Sequence, residues 1–306
     1  MFGAASMVGS HFVEHSGSLV HAAGRADPGG RGVPVQGFSP VALEHGSDVE
    51  ELIRSRPEPA VVNFAARTDV DGIERERGTP LEPATEGDAW RVNALAPEAM
   101  ARASRAEGKY FVQVSTDFVF DGTAGPYDET VARPPLSDRL SWYGWTKSEG
   151  ERRVEREDPR AAILRISYPF RSAFPGKLDF ARGMVAKRRA GALPAFYADQ
   201  VMTPTWVPDV THAIGALIQR RAAGVFHAAS PESTTPYEFA ERLFHETSGP
   251  EVRLQRGSLV ESLRRPGATP RPVRGGLRCD RLPRLGVRLT GWKEGIDRLV
   301  VDEGWA

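Results

Sequence analysis

The sequence predicts an α/β protein, a doubly wound parallel sheet with a smaller C-terminal substrate lobe interleaved with it. Three observations carry this. Short apolar runs alternate with amphipathic stretches through the first half of the chain, as parallel strands joined by helices do. A glycine-spaced loop, MFGAASMVGS, opens the chain. A tyrosine and a lysine, Tyr143 and Lys147, stand four residues apart just beyond a strand run and its loop.

In chain order, residues 7–16 follow the loop as a helix, 19–23 form a short strand, 48–55 a helix and 60–64 (AVVNF) a buried strand. Residues 88–107 carry apolar or small side chains at helical spacing and no glycine. A strand at 110–115 (YFVQVS), a helix at 142–157 and a strand at 161–166 (AAILRI) complete the first half. Such sheets take ligands at the carboxyl ends of their strands. Past Ile166, proline and glycine become frequent. Helices are expected at 179–190 and 208–221, a strand at 224–229 (GVFHAA) and a helix at 235–247. Thr234 or Thr235 would cap that last helix, with Glu238 near its third position. An arginine- and proline-rich stretch covers 264–274, and a final helix begins near Trp292. GTPLEPATEG (78–87) reads as a surface insertion, and there is no internal repeat. The expected division is a Rossmann-type nucleotide-binding domain at 1–166, to which 200–229 returns, and a small lobe at 167–199 and 230–306.

Composition narrows the function classes. The 306 residues suit one large domain or two fused lobes. Forty basic and forty acidic side chains give a formal net charge of zero, so charge makes no case for nucleic acid or a membrane surface as partner. Cys279 is the single cysteine, which rules out an internal disulfide framework and fits a reducing, cytoplasmic setting. No apolar run is long enough to span a bilayer, and the N-terminus lacks the charged and apolar regions of a secretion signal.

The opening loop is the first site candidate. Gly3 and Gly9 hold the outer positions of a dinucleotide loop, whose glycines let the backbone turn tightly and approach a pyrophosphate at the helix N-terminus. Ser6 stands at the middle position and carries a Cβ; Met7 and Val8 complete the loop and start the helix. Only Met1 and Phe2 precede Gly3, so the expectation is a reading frame that starts upstream or a clipped first strand. The next strand ends HAAGRAD. An arginine there reaches a ribose 2′-phosphate, which favours NADP(H) through Arg25; Asp27 keeps NAD(H) open. A plainly solvated Arg25 is the alternative.

The strongest signal spans three segments. STDFVFDG follows a strand and puts the Thr116 hydroxyl and the Asp117 carboxylate at its end. Tyr143 and Lys147, in YGWTK, share one helix face. A tyrosine with pKa of about 10 is a poor acid–base catalyst at neutral pH. A lysine cation beside it would favour the phenolate and lower that value, and the same ammonium could hold a nicotinamide ribose. Thr116 could hydrogen-bond a reacting carbonyl oxygen.

With these residues in view, the chain resembles the extended short-chain dehydrogenase/reductases, and among them is most similar to the dTDP-4-dehydrorhamnose reductases. The segments that carry the resemblance are GAASMVG, NFAARTDVD, RVNALAPEAMA, VSTDFVFDG, YGWTKSEGE, ILRISYPF, DQVMTPTWVPDV and GVFHAAS, in the family's order over most of the chain. The resemblance implies a Rossmann domain with a small sugar-nucleotide lobe. It also implies hydride transfer from NADPH to C4 of a 4-keto-6-deoxyhexose on a nucleoside diphosphate, as in rhamnose biosynthesis. It makes Thr116, Tyr143 and Lys147 the catalytic set, with Tyr143 the proton donor. It places Ala65 and Ala66 along the cofactor, Asn93 on the helix beneath the site, and Asp117 and Tyr168 by the substrate; a homodimer is compatible with it. The chain departs from the family's pattern at Ser6, at DRLSW inserted before Tyr143, and at Tyr168, where these reductases usually carry tryptophan.

For the sugar nucleotide, DQVMTPT offers Gln200, Thr203 and Thr205; a structural turn around Pro204 is the competing reading. Arginines from Arg253 to Arg288 could grip a diphosphate; a solvated face is the competing reading. Three other functions stay open. The chain could be a non-catalytic, NADP-binding regulatory subunit. It could be an epimerase or dehydratase, although dehydration wants further carboxylates and only Asp117 follows Thr116. HFVEH, with His11, Glu14 and His15, matches the H-x-x-E-H pattern of zinc peptidases, and Glu74 or Glu76 could complete a metal site. Ordinary surface histidines are favoured over that last reading, so no metal is expected.

Overall fold

The fold comes from a computed structural model that describes residues 1–306 apart from 17–18, 30–32, 34, 78–84, 175, 177, 249–251 and 306. Most of the expected insertion at 78–87 therefore lies outside the described residues. The first half runs α1 (Met7–Ser16), β1 (His21–Gly24), β2 (Gly37–Pro40), α2 (Gly46–Ser55), β3 (Ala60–Asn63) and α3 (Val70–Glu74). A short α4 (Asp88–Trp90) passes through a π-turn, Arg91–Leu95, into α5 (Ala96–Ala106). β4 (Tyr110–Thr116), a 3-10 turn (Asp117–Val119), α6 (Trp142–Glu157) and β5 (Ala162–Ile166) follow. The second half holds α7 (Phe180–Arg189), β6 (Phe196–Tyr197), α8 (Val207–Arg220), β7 (Gly224–Ala228), α9 (Pro236–Ser248), β8 (Arg256–Gly257), α10 (Leu259–Leu263) and α11 (Trp292–Asp302).

β3, β4, β5 and β7 form a four-stranded parallel ladder in that order, and β1 pairs in parallel with β2. Phe2 joins the two ladders. It bridges in parallel to Ala23 on one side and Asn63 on the other, through Phe2 N–H to the Val62 carbonyl at 2.9 Å and Phe64 N–H to the Phe2 carbonyl at 3.0 Å. The three residues Met1 to Gly3 thus fill the central slot from which the loop departs. β2 was not expected from the sequence: GFSP is half-buried, short and ends in proline, as an edge strand can.

Both sheet faces are covered, as a parallel sheet requires. On one face α1 and α8 pack Phe12, Val13, Ile214 and Leu217 against Val62, Val112, Leu164 and Phe226. On the other, α2, α5 and α6 pack Ile53, Met100 and Val154 against Val61, Phe111 and Ile163. Adjacent strand residues such as Phe111 and Val112 serve opposite faces, as the two-residue period dictates. A separate core gathers Phe170, Met184, Phe196, Trp206, Phe239, Phe244, Trp292 and Ile296 around the two-stranded β6–β8 pair. The chain between α10 and α11 also returns to the main sheet, where Leu282 and Val287 join its first-face core. α9 starts with a reciprocal cap: Glu238 N–H donates to Thr235 Oγ1 and Thr235 N–H to Glu238 Oε2, both at 3.1 Å.

Candidate active site

The opening loop turns at Gly3, whose φ is +78°. A Cβ there would stand 2.6 Å from the Ala65 nitrogen, and one on Gly9 would stand 2.3 Å from the Gly3 carbonyl oxygen. Neither position admits a side chain without moving backbone. Ser6 is accommodated because its hydroxyl turns inward and accepts the Gly9 N–H at 3.0 Å. It acts as the N-cap of α1, and Met7 and Val8 supply the remaining first-turn donors. The loop is thus a tight turn at a helix N-terminus, with a capping hydroxyl at the middle position of the glycine spacing.

The wall beside the loop is fixed from β3. The Asn63 side chain is buried, donates to Gln113 Oε1 at 2.9 Å and accepts the Ala65 N–H at 2.9 Å. Ala65 and Ala66 line the half-buried segment that follows. Asn93, on the π-turn, accepts the Arg67 N–H at 2.9 Å and donates to the Arg67 carbonyl and to Thr146 Oγ1, both at 3.1 Å. π-turns of this kind concentrate at functional sites. Here the turn swings one amide so that it ties the loop after β3 to α6.

α6 carries Tyr143 and Lys147. Ser141 caps it, accepting the Gly144 N–H at 3.1 Å, and Glu74 accepts the Trp142 N–H at 2.7 Å. The lengthened loop before it is held by Arg77, which donates to the Ser137 and Leu140 carbonyls at 3.1 and 2.6 Å. Tyr143 and Lys147 are both buried. Burial pushes the Tyr143 phenol up to about 12; the Thr116 hydroxyl beside it pulls down and the Asp117 carboxylate adds to the rise. Burial pushes Lys147 down to about 8, against the raising effect of Glu151. This corrects one expectation. Lys147 does not lower the Tyr143 pKa, because its Nζ donates to the Val114 carbonyl at 3.0 Å and desolvation dominates the phenol.

Asp117 is buried at the carboxyl end of β4. Its Oδ2 accepts from Ser167 Oγ at 2.8 Å and its Oδ1 from Thr116 Oγ1 at 3.3 Å. Burial raises it to about 6 despite these hydrogen bonds. Beneath Lys147 lies a charge network that sequence reasoning missed. Glu151 accepts from Arg165 Nη2 at 2.6 Å and from Arg133 Nη1 at 2.7 Å. Burial raises its pKa, but the two guanidinium groups outweigh that and hold it at about 2. Arg165 sits in register between Ser115 and His227 and lies over the Phe120 ring at 4.9 Å. The available signal was an arginine inside an apolar strand, one helical turn of α6 beyond Lys147 supplying its partner.

Tyr168 adopts φ +41°, a left-handed conformation that is an outlier for an aromatic residue. Its ring packs with Phe118, whose ring in turn meets Tyr143 edge-on at 5.7 Å. Gln200 Nε2 donates to the Tyr168 hydroxyl at 2.8 Å, so these two expected substrate residues do meet. Thr203 and Thr205 do not join them. Thr203 is buried and accepts the Leu277 N–H at 2.8 Å. Thr205 accepts the Ser167 N–H at 2.9 Å and donates to the Ala228 carbonyl at 2.7 Å. For both, the structural reading of DQVMTPT replaces the ligand-binding one. Asp199 likewise caps α10, accepting from Ser258 and Leu259.

Arg25, past the end of β1, is exposed and ion-paired with Glu44. It edges a concavity shared with Pro40, Val41, Ala42 and Leu52. Asp27 instead closes its own turn, accepting the Gly29 N–H at 2.8 Å. In HFVEH the two histidine rings stack 4.0 Å apart, and each polar group has a partner that is not a metal. Glu14 pairs with Arg171 at 2.7 Å, His11 Nδ1 meets Thr211 Oγ1 at 2.8 Å, and His15 Nδ1 bonds to the His11 carbonyl at 2.9 Å. Glu74 and Glu76 are taken by Arg77 and Arg67. Among the described residues no cluster of metal-ligating side chains is present, and no helix is long and apolar enough to cross a membrane.

The chain matches the model of a family described as the RmlD substrate binding domain over residues 1–304. It is 34% identical over 226 residues to a probable low-salt glycan biosynthesis reductase, Agl14, of Haloferax volcanii, covering 73% of this chain and 71% of that one. It is 31% identical over 266 residues to a dTDP-4-dehydrorhamnose reductase of Sinorhizobium fredii, covering 83% of each. Its fold superposes with a TM-score of 0.77 on the crystal structure of a dTDP-4-dehydrorhamnose reductase from Bacillus anthracis in complex with NADP. That match has 24% identity and covers 98% of this chain and 97% of that one.

Proposed function

The chain belongs to the RmlD substrate-binding-domain family, and on that premise we propose that it is an NADPH-dependent reductase of a 4-keto-6-deoxyhexose carried on a nucleoside diphosphate, dTDP in the first instance. The observation that carries the proposal is the buried cluster of Thr116, Tyr143 and Lys147 at the carboxyl end of β4, next to a loop that fits a dinucleotide. The α1 first-turn donors of Met7 and Val8 would hold the pyrophosphate. Arg25 would take a 2′-phosphate by exchanging it for Glu44, while Ala65 and Ala66 border the cofactor. Tyr143 and Lys147 would hold the nicotinamide ribose. When bound, the cofactor supplies a hydride for the ketone carbon.

The remaining chemistry falls to the chain. Reduction adds one hydride to carbon and one proton to oxygen, and Tyr143 is the proton donor. A phenol held at about 12 enters the reaction protonated, as a reductive direction needs. Thr116 donates to the carbonyl oxygen and polarises it, which strengthens as charge develops there. Lys147, still mostly protonated at neutral pH, would act on the nicotinamide ribose from its place on the Val114 carbonyl. Asp117, Tyr168 and Gln200 orient the sugar.

The test is the disappearance of NADPH absorbance on adding a dTDP-4-keto-6-deoxyhexose. The expected result is stoichiometric oxidation with formation of the 4-hydroxy sugar nucleotide. NADPH binding without turnover would instead favour a non-catalytic role. Binding of neither NADPH nor NADH would overturn the proposal.

A further inference from the structure

We propose that Arg171 is a positioning residue for the cofactor loop: anchored from the lobe, its buried guanidinium holds the first turns of α1 in the orientation that presents the Met7 and Val8 N–H groups to the cofactor pyrophosphate. This rests on the nucleotide-binding reading above.

Arg171 lies beyond β5, where the chain leaves the sheet for the lobe, and its backbone is fixed on both sides. Before it, Phe170 N–H donates to the Thr205 carbonyl at 3.0 Å and Val207 N–H to the Phe170 carbonyl at 3.1 Å, while the Phe170 ring packs in the lobe core. After it, Ser172 Oγ donates to Asp302 Oδ2 and Ala173 N–H to Glu303 Oε1, both at 2.8 Å. These two carboxylates stand at the C-terminal end of α11. Between the anchors Ala173 takes φ +52°, a left-handed conformation that surrounding contacts must sustain.

From this anchored segment the side chain crosses to the nucleotide-binding half. Nη1 donates to the Met7 carbonyl and to Ser10 Oγ, each at 3.3 Å, and Nη2 donates to Glu14 Oε2 at 2.7 Å. Nε donates back to the Ser172 carbonyl at 2.9 Å, which fixes the stem. Positions 7, 10 and 14 share one face of α1, so a single guanidinium spans two turns of that helix. Arg171 and Ser10 are both buried, and Ser10 Oγ itself donates to the Met7 carbonyl at 3.2 Å. The charge is felt on this face: burial first, and Arg171 next, lower the His11 pKa to about 3.

Stability alone does not call for an arginine here. An apolar side chain of similar volume packs as well as a buried ion pair and often better. What the guanidinium adds is direction, because its donors lie in one rigid plane. Here they meet acceptors in the turn whose own N–H groups face the pyrophosphate. Such binding groups work only when the groups behind them hold them within about 0.5 Å of their place.

The experiment is fluorescence titration of the full-length protein with NADPH, followed by KM for NADPH and kcat on the keto-sugar nucleotide. Wild type is compared with Arg171→Met, Arg171→Lys and the Asp302→Ala/Glu303→Ala pair, with urea unfolding of the cofactor-free protein as the folding control. Arg171→Met is expected to weaken NADPH by about tenfold, the scale of lost charge-assisted hydrogen bonds. Its kcat at saturating NADPH is expected to stay within about twofold of wild type, because the loss falls on binding. Arg171→Lys is expected to lie in between. The Asp302→Ala/Glu303→Ala pair loosens the anchor without touching α1 and is expected to weaken NADPH by about two- to threefold, as lost exposed contacts do. Wild-type NADPH affinity in folded Arg171→Met would overturn the inference, and so would a lowered kcat at unchanged KM. Should Arg171→Met fail to fold, the Asp302→Ala/Glu303→Ala pair decides, and unchanged affinity there overturns it. Wild type that binds neither NADPH nor NADH would remove the nucleotide-binding reading itself.

Discussion

Replacing Asp117 by asparagine is expected to make the protein more stable and less active. The carboxyl is buried at the end of β4 and its pKa is raised from 3.8 to about 6 by desolvation. The folded state thus binds more protons than the unfolded chain between those two values, so this group's contribution falls as pH rises through that window. At pH 7 the ionised carboxylate disfavours the fold by about 3 kcal/mol relative to its neutral form; at pH 5 the difference is about half that. Asparagine is neutral at every pH and keeps an acceptor for the Ser167 hydroxyl. Urea unfolding should show Asp117→Asn gaining up to about 3 kcal/mol at pH 7 and roughly half as much at pH 5. Turnover should fall, because the charge beside Tyr143 and the sugar contact are both altered, a trade of activity against stability typical of functional sites. Equal gains at both pH values, or a loss of stability at pH 7, would refute the reasoning.

Lys147 gives a kinetic signature. Its pKa is lowered to about 8, so it loses its cation as pH rises through that value, and kcat/KM is expected to fall above about pH 8. A profile flat to about pH 9.5 would contradict the role assigned to the ammonium. Gly9→Ala puts a Cβ 2.3 Å from the Gly3 carbonyl and should weaken NADPH by about tenfold or more as the loop shifts off its cradle; fluorescence titration of NADPH reads this, and wild-type affinity would remove the loop from the cofactor site.

Local signals made much of the fold readable. α1 and α6 occupy the expected spans, 7–16 and 142–157, and the structure adds that Ser6 and Ser141 serve as their N-caps. β3, β4, β5 and β7 are apolar runs that need no long-range information. β2 escaped detection because three half-buried residues and an exposed proline carry no alternation. The first strand was legible only as a clipped end at Met1 and Phe2; that Phe2 bridges Ala23 on one side and Asn63 on the other depends on partners far along the chain.

The site divides in the same way. The spacing of Tyr143 and Lys147 is local and visible in the sequence. The direction of the Lys147 ammonium, toward Val114 rather than toward the phenol, depends on how α6 lies on β4. Arg133, Glu151 and Arg165 come from three separate segments and meet only in the packed sheet. Polarity alone made Thr203 and Thr205 look like ligand contacts; their hydroxyls instead hold neighbouring backbone in place.

The central claim is that Tyr143 donates the proton in an NADPH-dependent ketone reduction. Its most direct test is Tyr143→Phe, with NADPH affinity and turnover on a dTDP-4-keto-6-deoxyhexose measured on the same preparation. The account predicts NADPH binding close to wild type and turnover reduced by about a hundredfold or more, the scale of a lost general acid. Near-wild-type turnover in Tyr143→Phe would contradict it.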